Sequence, residues 1–248
     1  MSVFRLSNKI FDLKLSAQEM TLYAYLCSLP SETSTIDGAS AIKVKQSTIA
    51  QKCGIKAIQT VSKIITRLAE KKLVKPLKRE IKTNRQKGTY TYIVKKLPTN
   101  DSFFFVDKHV FGCLVPYQMM IYLFLCKSYS TQLRNSWNSY NDISAHTCIK
   151  RETVIRIISE LEAMKFIVKS RRKSRSNRRV YVDNHYQIIF FVKGKINKYC
   201  KKIARLHSKY NRTGIKLLKN STKYKLNDNT FLLICQEKLK NFSGRGSP

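Results

Sequence analysis

Apolar residues fall into the same rhythm twice along the chain. In one stretch Val61, Ile64, Ile65 and Leu68 recur at i, i+3, i+4 and i+7, the spacing that lines one face of a helix. In a later stretch Val154, Ile157, Ile158 and Leu161 do the same. The surrounding segments, IAQKCGIKAIQTVSKIITRLAEKKLV from Ile49 to Val74 and ISAHTCIKRETVIRIISELEAMKFI from Ile143 to Ile167, align with one residue deleted in the second. Ile49 then meets Ile143, and Ile55 meets Ile149. Upstream, Lys9-Ile10-Phe11 matches His109-Val110-Phe111, and LYAYLC from Leu22 matches IYLFLC from Ile121. A repeated order of elements predicts two similar folded units. The turn-prone run Pro98-Thr99-Asn100-Asp101 separates them. The expected organisation is a unit over 1–98, a second over 99–187, and a basic, partly helical extension with a flexible end over 188–248.

Within the first unit, Ser16 with Glu19 three residues on is a capping-box pattern, opening a helix through about Ser28. Residues 30–41 are rich in Ser, Thr, Gly and Asp and read as loop. Ser47 is placed to cap a short helix, Thr48 to Lys52. Gly54 then breaks the chain direction, because only Gly adopts left-handed backbone angles freely. A longer helix is expected from about Lys56 to Lys71. Strands are expected over Leu73–Arg79 and Thr89–Val94, joined by a basic loop, Glu80 to Gly88. The second unit repeats this order. Asp142 is placed to cap Ile143–Thr147, a helix follows over Arg151–Met164, and strands Phe166–Ser170 and Arg179–Val182 flank the run RRKSRSNRR, Arg171 to Arg179. Cys148 stands where the first copy has Gly54.

Short helix, tight turn, longer helix and then a hairpin with a basic loop resembles the winged-helix family, the loop being the wing. The run FRLSNKIFDLKLSAQEMTLYAYLCS, with TIAQKCGIKAIQTVSKIITRLAEKKLV after it, resembles helix-turn-helix proteins of Firmicute plasmids, phages and integrative elements. Replication initiators with paired winged-helix domains are among them. Over residues 4–187 the resemblance implies an α+β fold, mainly α, with two winged-helix domains in tandem. It implies DNA binding firmly and the particular role loosely, since regulators and segregation adaptors share the pattern.

Charge sharpens that picture. The chain carries 48 Lys and Arg against 15 Asp and Glu, a net +33. Residues 1–98 hold 19 basic and 6 acidic side chains, residues 99–187 hold 14 and 7, and residues 188–248 hold 15 and 2. A field of that sign over the whole chain attracts polyanions. Double-stranded DNA, on direct or non-palindromic repeats, is the expected partner, with replication machinery or a second copy as further candidates. A recognition helix presents the N-terminal part of its free face to the major groove. In the first unit that selects Lys56, Gln59, Thr60, Lys63 and Arg67. In the second it selects Lys150, Arg151, Thr153 and Arg156, with Glu152 among them. Gln matches adenine and Arg matches guanine in the major groove. The wings add Lys82, Arg85 and Lys87 in one unit, and Arg171, Arg172, Lys173, Arg175, Arg178 and Arg179 in the other, for phosphates or the minor groove.

Other chemistry finds little support. The seven Cys form no CxxC pair, and the four His are isolated. Neither a Walker loop nor a paired acidic metal motif can be read. No enzyme, cofactor or small-molecule substrate is therefore expected. The longest apolar runs are too short to span a bilayer, and the odd, scattered cysteines without a signal peptide point to a reducing interior, so the expected location is the bacterial cytoplasm, on nucleoid or plasmid. The expected role is a replication initiator of a plasmid or mobile element. The alternatives are a transcription regulator of such an element, or a DNA-coating segregation or structural adaptor.

Overall fold

A computed structural model describes residues 3–31, 33–34, 39–77, 89–100, 102–173 and 181–189. All belong to one compact unit within residues 1–204. The helices in chain order are α1 (Ala17–Ser28), α2 (Gln46–Lys52), α3 (Ile58–Glu70), α4 (Pro116–Lys127), α5 (Tyr140–Thr147) and α6 (Arg151–Ala163). The strands are β1 (Val3–Ser7), β2 (Thr33–Ser34), β3 (Ala39–Val44), β4 (Val74–Pro76), β5 (Tyr90–Lys95), β6 (Phe103–Asp107), β7 (Ser136–Trp137), β8 (Ile167–Lys173) and β9 (Tyr181–Ile188). The fold is α+β.

Each half is three helices closed by an antiparallel sheet. In the first half the strand order is β2-β3-β5-β4, and in the second it is β7-β9-β8. Six apolar pairs aligned across the helix-turn-helix segments are buried: Ile49 and Ile143, Ile55 and Ile149, Val61 and Val154, Ile64 and Ile157, Ile65 and Ile158, Leu68 and Leu161. Helices α3 and α6 also stop alike. Lys72 (φ 57°) and Lys165 (φ 61°) take the left-handed turn that follows each helix. The next amide, of Leu73 or Phe166, then donates back to the carbonyl of Leu68 or Leu161 at 2.9 Å. This closes the last helical turn and seats an apolar residue under it. Lysine tolerates the left-handed angle here, and its charge suits the negative helix end.

The two halves are not separately packed. β1 pairs antiparallel with β6, from Val3 opposite Asp107 to Ser7 opposite Phe103, so the central pair is Arg5 with Phe105. Each central residue is its partner's counterpart in the repeat, which places an approximate two-fold axis between them. The aromatic contacts obey the same axis. Phe4 lies 6.0 Å from Phe111, and Phe104 lies 6.2 Å from Phe11. Tyr25 meets Phe111 edge-on at 5.2 Å, and Phe124 meets Phe11 edge-on at 5.9 Å. α1 and α4 pack together beneath this ribbon, and one buried apolar cluster runs through both halves.

Several sequence expectations are corrected. The stretch 30–41 is not all loop: Thr33–Ser34 form β2 and residues 39–41 open β3, in which Ser40, Ile42 and Val44 point inward. α2 starts at Gln46 with Lys45 as its N-cap, so Ser47 lies inside the helix and caps nothing. α5 starts at Tyr140, and Ser139 is its cap. The Asp142 carboxylate accepts from the Ser139 amide at 2.9 Å and the Ser139 hydroxyl accepts from the Asp142 amide at 3.1 Å. Asp142 is thus the far partner of a capping box rather than the cap. The second hairpin is longer than expected, because β8 continues through Lys173 and β9 runs on to Ile188. Most of the 188–248 extension lies outside the described residues.

Candidate nucleic-acid interface

Helices α3 and α6 are anchored by their apolar faces, which leaves their other faces to solvent. On α3 the exposed row is Gln59, Ser62, Lys63, Thr66 and Arg67, with Thr60 half-buried at its edge. None of the Gln59, Lys63 and Arg67 side chains has an ion-pair or hydrogen-bond partner among the described residues. Lys56 is exposed but precedes the helix, whose N-cap is Ala57, so it stands in the approach to α3 rather than on it. Within that row the Ser62 hydroxyl donates to the Gln46 side-chain carbonyl of α2 at 3.1 Å. Sequence reasoning missed Ile58. It occupies the first turn of α3 and is 48% exposed, an unusual place for a large apolar side chain. An apolar group there suits contact with a thymine methyl. Helical spacing concealed it, because Ile58 stands three residues before Val61 and so reads as a continuation of the inward face.

On α6 the exposed residues at the start are Lys150 (the N-cap), Arg151 and Glu152, followed by Arg156 and Ser159; Thr153 is half-buried. Two of these cations are held from within the protein. The Arg151 guanidinium stands 5.9 Å from the centre of the Tyr140 ring. The Lys169 ammonium stands 4.8 Å from the same ring and also donates to the Tyr140 hydroxyl. Tyr140, at the start of α5, is therefore joined to the start of α6 through its ring and to strand β8 through its ring and hydroxyl. Arg156 donates to Glu160 one turn on at 2.8 Å. Glu160 is buried, and its other oxygen accepts from the Gln118 amide of α4 at 2.7 Å. The Gln118 carbonyl accepts in turn from the Val115 amide at 3.2 Å. Arg156 thus serves a structural chain as well as facing solvent, unlike Lys63 in the first half.

The corresponding joint in the first half uses a different ion pair. Glu19 accepts from the Ser16 amide at 2.9 Å and from Lys71, just past α3, at 3.0 Å. Burial pushes its pKa up, but the Ser16 amide and the Lys71 ammonium outweigh burial and hold it below the usual carboxylate range. Asp142 is also lowered, chiefly by the Ser139 amide.

The turns between the helices differ in residue and agree in backbone. Gly54 has φ 64° and Cys148 has φ 55°, so the second copy accepts a left-handed non-glycine residue rather than a different turn. Cys148 is exposed, whereas Cys27, Cys53, Cys113 and Cys126 are buried. Burial pushes the Cys27 thiol up to about 12.

The wing residues are placed only in part. Arg171, Arg172 and Lys173 lie on β8 opposite Asn184, Asp183 and Tyr181. Lys82, Arg85, Lys87, Arg175, Arg178 and Arg179 lie outside the described residues. Among the described residues no helix is long and apolar enough to cross a membrane, and no group of three His, Cys, Asp or Glu could hold a metal ion.

Comparison with known proteins agrees with this geometry in one segment. No curated protein matches the chain. Among solved structures, the chain is similar to the Pi initiator protein, crystallised in complex with iteron DNA, at 9% identity and a TM-score of 0.49, over 77% of this chain and 98% of that one. That likeness is too faint to carry function. Residues 114–167 match the helix-turn-helix domain family, which spans α4, α5, α6 and the start of β8. The match therefore falls on the copy whose turn carries Cys148 in place of glycine.

Proposed function

We propose that the chain is a sequence-specific double-stranded DNA-binding protein with two reading heads, serving as the replication initiator of a plasmid or mobile element and acting without catalysis. The observation that carries this reading is the pairing of two helix-turn-helix units whose recognition helices are buried alike and present different free faces. Gln59, Lys63, Arg67 and the exposed Ile58 offer one set of base-edge contacts. Arg151, Arg156 and Glu152 offer another. A two-fold relation between heads sets their half-sites head to head, while the unlike side chains make those half-sites unlike. A single chain would therefore prefer a non-palindromic site, and an array of direct repeats would take one chain per copy. Phosphate contacts from the basic surface would hold the register.

Selection of duplexes from a random pool, followed by footprinting, tests the binding. A single asymmetric consensus with two protected major-groove segments is expected, and retention of DNA without any consensus would overturn sequence-specific reading. Supplying the gene beside an array of that site on a plasmid that lacks its own origin tests initiation. Replication is the expected result. Repression of a linked promoter without replication would assign a regulator instead.

A further inference from the structure

The approximate two-fold axis relates most of the interface between the halves, but one seam breaks it. The turn of the first helix-turn-helix is seated on the segment that leads into α4. The Gly112 amide donates to the Lys52 carbonyl at 2.7 Å. A Cβ added at Gly54 would stand 3.2 Å from both the Leu114 carbonyl oxygen and the Val115 Cα, and 3.6 Å from a Val115 methyl. Gly112 has φ 89°, and a Cβ there would meet the Lys52 side chain at 3.5 Å. Nearby, the Thr21 hydroxyl stands 3.5 Å from the Pro116 carbonyl, beyond its shorter bond to Ala17.

The mirrored seam is not made. Among the described residues no backbone hydrogen bond joins the second turn, at Cys148, to the segment before α1. Glycine at position 54 thus satisfies two demands, a left-handed angle and a close backbone approach. Position 148 meets only the first, and a cysteine suffices there.

We infer that the seam of Lys52 and Gly54 against Gly112, Leu114 and Val115 fixes the setting of α3 relative to the second head, and so determines which half-site spacing the protein accepts. α3 begins four residues after Gly54, at Ile58, so a bolt at that turn acts on the end of the recognition helix that would enter the groove. Gly54 and Val115 are positioning residues that make no contact with DNA. The inference rests on the two-head reading proposed above.

The test uses the full chain and the duplex it selects from a random pool, with the spacer between half-sites changed by one and two base pairs in each direction. Wild-type protein is expected to lose about tenfold in affinity for each base pair away from its optimum, because the second contact ceases to be intramolecular. Gly54→Asn keeps a residue that tolerates the left-handed angle while driving a Cβ into the seam. It is expected to flatten that profile to about threefold or less, while binding to a lone first half-site stays within about twofold. Val115→Ala removes the methyl packing from the other side and is expected to flatten the profile in the same direction, which keeps the test available if Gly54→Asn folds poorly. Cys148→Gly, off the seam, is expected to leave the profile unchanged. A sharp wild-type profile that both seam variants retain would overturn this inference alone. A flat wild-type profile would overturn the two-head reading with it.

Discussion

At the scale of single residues, the outward polar side chains divide into those without a partner among the described residues and those the fold also uses. Lys63 and Gln59 have no partner among the described residues, so Lys63→Ala and Gln59→Ala are expected to change thermal stability little while weakening or relaxing DNA binding, by about 1–3 kcal/mol where a base contact is lost. Arg156→Ala removes the counter-charge of buried Glu160. Half of the arginine is in water, so the expected loss of stability is small, about 1 kcal/mol, and it accompanies the loss in binding. Chemical denaturation read beside a titration with DNA separates the two effects. A fully stable Arg156→Ala protein would mean that Gln118 alone satisfies Glu160.

Glu19 provides the acid-range counterpart. Its carboxyl sits below its ordinary pKa in the folded protein. The stabilisation is therefore fully present above the unfolded value and is lost as pH falls through the folded one. Melting temperature should drop more steeply between roughly pH 5 and pH 3 in wild type than in Glu19→Gln, whose side chain does not titrate. Parallel profiles would show that the Ser16 and Lys71 contacts contribute no pH-dependent stability. Mass mapping after brief exposure of native protein to a thiol reagent should find Cys148 modified and Cys27, Cys53, Cys113 and Cys126 intact, since the latter four are buried. Modification of Cys53 would indicate that the first turn opens.

At the scale of elements, much was legible and the misses have physical causes. The inward faces of α3 and α6 were readable because helix packing demands a fixed spacing, and Val61, Ile64, Ile65 and Leu68 display it without interruption. Their outward faces followed, and with them most of the candidate site. Ile65→Ala and Leu161→Ala should each cost about 2–5 kcal/mol, since both open cavities in a close-packed core. A loss under about 1 kcal/mol would show that the site collapses around the gap. β3 was missed because its apolar residues, Ile42 and Val44, follow a polar run rich in turn formers. Its strand character comes from pairing with β5, which arrives fifty residues later in the chain. Helix starts slipped by a few residues where the N-cap is Lys45 or Ala57, neither of which makes a side-chain cap bond. The joint between Tyr140, Arg151 and Lys169 was illegible for another reason, because it unites three separate elements.

At the scale of the molecule, the repeat was visible in the sequence and the joining of its copies was not. FRLS and FFFVD look like unremarkable short apolar runs, and only their pairing across nearly one hundred residues makes them a shared ribbon. That ribbon, with Phe4, Phe11, Phe104 and Phe111 around it, turns two units into one body with one core. Heat or denaturant should therefore unfold the described body in a single transition, and residues 1–98 alone should be destabilised by the exposed faces of β1 and α1. The cationic surface has its own signature. If about eight phosphates are neutralised, the log–log dependence of affinity on salt should have a slope of roughly −7. A slope shallower than about −2 would argue against DNA contact by both heads together.

The central claim is that one chain places two recognition helices on one face of one duplex. It is tested most directly by inserting half a helical turn, about 5 bp, between the two half-sites of the selected DNA and measuring affinity of the full chain. The insertion turns one half-site to the opposite face. Affinity should fall to that of the single stronger half-site, and a further insertion restoring a full turn should not recover it, because the rigid shared core holds the heads at one separation. Unchanged affinity after the first insertion would contradict the account and leave one half of the protein as the only reader.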